Sequence, residues 1–132
     1  MVEMIGLTGT LAFFIGLYFT AASIGLLLDP AGTIKFAQRF ADEPLTAFLG
    51  GFAALAAGAA IVATHIDMSS LLAGFVTVVG FVALVEAALL FAFREKFVAL
   101  FMPLMGSQGL IRMFGAVTLV IGGALMFAAL NG

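Results

Sequence analysis

The sequence predicts an all-α polytopic membrane protein, with four transmembrane helices in a bundle and two short interfacial segments. Three observations predict it. Of 132 residues, 64% are hydrophobic and 9% are charged, and the mean hydropathy is +1.30. A soluble domain carries about a quarter of its residues as charges, so the polar surface here is too small to face water and lipid must be the outer solvent. Second, the chain has room for four apolar runs of roughly 20 residues, the length that crosses ~30 Å of hydrocarbon as a helix, and for little else. Third, the charges gather between those runs, with Glu86 the one acid well inside an apolar segment. A single transmembrane domain over 1–132 follows, with spans at about 5–28, 45–64, 71–93 and 110–130.

Span one begins in MVEMIG. A cleavable signal peptide needs a basic start and a short apolar core. The opening instead holds Glu3 and no Lys or Arg, and the apolar run to Leu28 is too long, so the segment reads as a retained helix. Asp29-Pro30 stops it, because proline restricts the residue before it and cannot continue the hydrogen-bond ladder. Thr8, Ala12, Gly16 and Thr20 recur at four-residue spacing, a face of small residues on which another membrane helix can pack closely.

The interval 31–43 is amphipathic. Lys35, Gln38, Arg39 and Asp42 share one face while Ile34, Phe36, Ala37 and Phe40 point elsewhere, which suits a helix lying in the headgroup plane. Asp42 or Glu43 then caps span two, with Pro44 in its first turn. Gly50, Ala54 and Gly58 give this span the smallest face of the four, so it is expected to be the most enclosed. The short turn 65–70 makes spans two and three an antiparallel pair, with Asp67 and Ser69 as caps for span three. His65 falls at the outer end of span two, where its ring is expected to face water. After Arg94-Glu95-Lys96, the stretch 97–105 contains Pro103 and is too short to cross, so it reads as an interfacial or shallow re-entrant piece. Ser107 and Gln108 open span four.

An offset of 64 residues aligns the two halves. It matches Gly16 with Gly80, Leu26 with Leu90, Gly51 with Gly115, Leu55 with Leu119, Gly58 with Gly122 and Ala60 with Ala124. Those identities are close to chance in so biased a composition. The matched order carries more weight: long span, interfacial segment, cap, then a span with glycines seven apart. Duplicated hairpins built this way enter the membrane from the same side, as a parallel repeat. Lys35, Arg39, Arg94, Lys96 and Arg112 all fall in or beside the two interfacial loops. The positive-inside rule then puts those loops in the cytoplasm and both termini on the periplasmic or outer side of a bacterial inner (plasma) membrane.

Few residues can carry chemistry. There is no Cys and one His, which argues against thiol catalysis and a transition-metal site. No cofactor is expected: the fifteen Phe lack a His pair for haem. No basic patch suggests nucleic acid, and no nucleophile–base pair or phosphate loop suggests an enzyme. Glu86 remains, since an acid in hydrocarbon is expensive and needs a reason. It lies about 12 Å from Arg94 along its helix, and Arg112 lies roughly 7–8 Å into the next span, at ~1.5 Å per residue. An ion pair clasping spans three and four is one reading. Without that partner the carboxyl is expected protonated, donating to Tyr18, Ser23 or a backbone carbonyl. The rival reading makes Glu86 a proton or cation site of a small dimeric transporter or channel. Small four-helix multidrug exporters carry their acid in the first helix with a Trp-containing motif, and small fluoride channels carry a glycine-rich first helix ending in Arg; this chain has neither.

An apolar helix ending at Asp29-Pro30, a short amphipathic connector and a glycine-containing second helix resemble the plan of small uncharacterised bacterial four-helix inner-membrane proteins. That resemblance implies a fold and a location, and no activity. The function expected from the sequence is therefore non-enzymatic: an accessory or structural protein of the bilayer that packs with itself or with a larger membrane complex.

Overall fold

The computed structural model describes the backbone of residues 2–131 and the side chains of residues 5–103 and 106–131, so the Glu3 side chain lies outside the described residues. The order is α1 (Val2–Leu28), α2 (Pro30–Asp42), α3 (Pro44–Thr64), α4 (Leu71–Ala92), α5 (Arg94–Phe101), a 3₁₀ turn (Met102–Met105) and α6 (Gln108–Asn131). The described residues form no strand. Four helices, α1, α3, α4 and α6, are long and apolar enough to cross a membrane. Each boundary has a local cause. Gly6, at φ 73°, kinks the start of α1 in a region that L side chains rarely enter. The Asp29 carboxylate accepts from the Gly32 N–H and caps α2, with Pro30 at its first turn. Glu43 stands at the start of α3, where its carboxylate binds the Thr46 hydroxyl and not a backbone N–H. Ser70, one residue beyond the expected cap, accepts from the Ala73 N–H and starts α4. The Ser107 hydroxyl accepts from the Leu110 N–H at the start of α6.

Packing is concentrated in two helix pairs, α1 with α6 and α3 with α4. The glycines decide this. A methyl built on Gly16 would fall 2.7 Å from the Gly122 carbonyl oxygen, and one on Gly122 would fall 2.8 Å from that of Gly16. In the other pair, a methyl on Gly58 would fall 2.9 Å from the Gly80 carbonyl oxygen, and one on Gly80 would fall 2.5 Å from Ile61. Both backbones touch only because these side chains are absent, which is how membrane helices gain dispersion contact without a hydrophobic drive. The expected antiparallel pair of spans two and three is present as α3 with α4, whereas the hairpins of spans one with two and three with four are not the principal contacts: the glycine faces join α1 to α6, across the whole chain. The most enclosed span is α4, not α3.

The two pairs meet through a small core of Ala12, Ile61, Val76 and Ala129, one residue from each long helix. All four lie toward the end of the molecule that holds the α3–α4 connection. Toward the opposite end, α2 and α5 touch each other.

Candidate functional site

A half-open cavity of about 810 Å³ runs along α4 under the two short helices. Its wall follows α4 from Val78 to Leu90, a length of about 18 Å at ~1.5 Å per residue. Its roof is two phenyl pairs at i, i+4. Phe36 and Phe40 of α2 meet edge-on at 5.1 Å, and Phe97 and Phe101 of α5 at 4.9 Å. The volume falls in the range of about 300–1,000 Å³ typical of small-molecule sites.

Glu86 is the only ionisable side chain in this lining. The one other polar residue there, Thr33, already donates its hydroxyl to the Asp29 carbonyl at 3.0 Å. No Lys, Arg or His lines the cavity. The described residues contain two ion pairs, Arg39–Glu43 at 3.1 Å and Arg94–Glu95 at 3.9 Å, and neither involves Glu86. The exposed Glu86 side chain therefore lines an apolar groove with no cation or hydrogen-bond donor to it among the described residues.

The residues grouped with Glu86 on sequence grounds are not brought to it. Arg112 stands exposed on α6, which packs chiefly along α1, while α4 packs chiefly along α3, and no ion pair joins Arg112 to Glu86. Tyr18 is 70% exposed on the surface of α1. Ser23 is fully buried, and its hydroxyl donates back to the Phe19 carbonyl of its own helix. The sequence signal for the groove was the repeat Phe-x-x-x-Phe in both interfacial segments, which places two rings on one face of each helix.

His65 also differs from expectation. The ring is buried and not turned to water. Its Nε2 is 2.8 Å from the Thr8 hydroxyl of α1, and its Nδ1 is 3.1 Å from the Thr77 hydroxyl of α4. Thr77 Oγ1 in turn accepts from the Asp67 N–H at 3.1 Å and lies 3.0 Å from the Ala73 carbonyl oxygen. This polar node ties the α3–α4 connection to α1, at the end where the two helix pairs meet. It is satisfied within the chain and leaves no group free for a ligand. No cluster of His, Cys, Asp or Glu among the described residues could hold a metal ion.

Comparison with family models, with curated proteins and with solved structures finds no match.

Proposed function

We propose that this is a non-enzymatic, multi-pass protein of the bacterial inner membrane that holds a lipophilic molecule in the groove along α4. One observation carries the reading: an apolar cavity of about 810 Å³ has a single unpaired carboxyl in its wall. Groups of that kind fix the orientation of a ligand whose body is held by apolar contact. An accessory role in the bilayer fits, because the groove lies beneath α2, an amphipathic helix suited to the headgroup plane. The bias of Lys and Arg toward α2, α5 and the start of α6 supports a cytoplasmic position for that end, with both termini outside.

The molecule also reads as two copies of one helical unit, exchanged. At the offset of 64, α1, α2 and α3 correspond to α4, α5 and α6, and the ends of α1 and α4 coincide at Leu28 and Ala92. The contact Gly16–Gly122 corresponds to Gly80–Gly58, and Gly115–Leu27 to Gly51–Phe91. Buried Ala12, Gly16 and Ser23 correspond to buried Val76, Gly80 and Ala87. These paired contacts support a duplication in which each unit packs its first span on the second span of the other. Under it Glu86 answers to Ala22, so an equivalent helix forms with no acid at that position. This favours a ligand role for Glu86 over a structural one.

The groove is tested by filling it. Native mass spectrometry of the purified chain with triphenylphosphine oxide, a neutral lipophile, is expected to show one bound molecule per chain. Val82→Trp, on the groove wall, is expected to lose it while remaining folded by circular dichroism. Equal binding to both proteins would place the lipophile elsewhere and remove this reading.

A further inference from the structure

Resting on the groove reading above, we infer that the molecule this site takes is a lipophilic cation, with its positive charge on the Glu86 carboxylate and its apolar body along Val78–Val85. The argument is charge complementarity at an apolar wall: the Glu86 side chain is exposed on the surface of the protein, and in a membrane span that surface faces hydrocarbon and not water. Glu86 is the sole ionisable group of the lining and has no counter-ion among the described residues, so its ionised form is the one that a bound cation completes. An anion seated there meets repulsion with no Lys, Arg or His to offset it. A neutral body gains the apolar contact and at most a hydrogen bond from the acid in its protonated form. A cation gains both, because attraction between opposite charges strengthens as water is excluded.

The roof points the same way. Phe36 with Phe40 and Phe97 with Phe101 pack edge-to-face, and all four rings line the groove. A cation over a phenyl face is held by the ring quadrupole, more strongly when desolvated. Four rings and one carboxylate, with no competing base, make a set suited to a singly charged, bulky cation such as a lipophilic ammonium or phosphonium. The correspondence of Glu86 with Ala22 adds that the acid is not needed to build its helix. Substituting it should leave the fold intact and change only what the groove holds.

The test uses the full chain in phosphatidylcholine nanodiscs, with tetraphenylphosphonium and its size-matched anion tetraphenylborate as probes in equilibrium binding. Saturable binding of tetraphenylphosphonium at one per chain is expected. Glu86→Gln and Glu86→Ala should weaken it about tenfold or more, the loss of a charge-assisted contact, and Glu86→Asp should retain most of it. Tetraphenylborate should show no saturable binding. If tetraphenylborate binds as tightly as tetraphenylphosphonium, or if Glu86→Gln binds the cation as wild type does, the cation assignment is overturned. In that event the groove reading still stands if Val82→Trp blocks the probe. If neither ion nor triphenylphosphine oxide binds saturably, the groove reading fails with it.

Discussion

Removing the His65 ring would strip Thr8 of its partner and leave a polar gap where α1 meets α4. His65→Ala is therefore expected to destabilise the folded protein by about 1–3 kcal/mol, the cost of leaving buried polar groups unmade. Reversible unfolding in mixed micelles measures this, and a variant as stable as wild type would mean the node contributes nothing. Asp67, in the same connection, is held below the usual carboxylate range by hydrogen bonds from Ser69, whose N–H is 2.8 Å from its Oδ1. A depressed folded-state pKa means the contribution is present above the unfolded value and is lost as pH falls through the folded one. An NMR titration of Asp67 should give a midpoint under that of an unstructured Asp, and Ser69→Pro, which removes the N–H, should raise it. A midpoint unchanged by Ser69→Pro would show that the turn does not hold the carboxylate.

The elements owe their pairing to single missing side chains. Gly16→Val drives a branched side chain into the Gly122 backbone, and Gly80→Val does the same against Ile61. Overpacking of this kind costs about 1–3 kcal/mol or more when neither helix can withdraw. Gly123, on the same helix as Gly122, has nothing within 4 Å of a built methyl, so Gly123→Val is the control and should be tolerated. Micelle unfolding of the three variants should separate them; equal losses would mean a general glycine effect and not a contact. These helices were readable from the chain because length and apolarity set a span, and Pro30, Pro44 and Ser107 mark its ends, whereas the cap of α4 falls on Ser70 and not on Asp67 or Ser69. Partner choice was readable for α3 with α4, from the short turn 65–70, and not for α1 with α6. Every span carries some small residues, and only the backbone geometry tells which two faces approach.

At the scale of the molecule, the interfaces α1·α6 and α3·α4 imply that neither half is complete. Residues 1–66 hold α1 and α3, which are not principal partners, and residues 67–132 hold α4 and α6, which are not either. Each half expressed alone is expected to be degraded or aggregated. The two co-expressed should recover a complex that co-purifies and unfolds cooperatively. A stable, monodisperse single half would contradict the exchanged arrangement.

What the amino-acid sequence determined by itself was the number of helices long and apolar enough to cross a membrane, most of their ends and the exceptional standing of Glu86. Each depends on local quantities: hydropathy over about 20 residues, a proline, a cap, one charge in hydrocarbon. The tertiary structure decided who meets whom. Glu86 and Arg112 have depths that permit a pair, but depth along two helices says nothing about whether those helices are neighbours. Gly16 against Gly122 and Gly58 against Gly80 set the neighbours. They send Arg112 to the α1 side and leave Glu86 facing an aromatic groove, because backbone contact at four glycines selects one pairing of helices from several that apolarity alone allows.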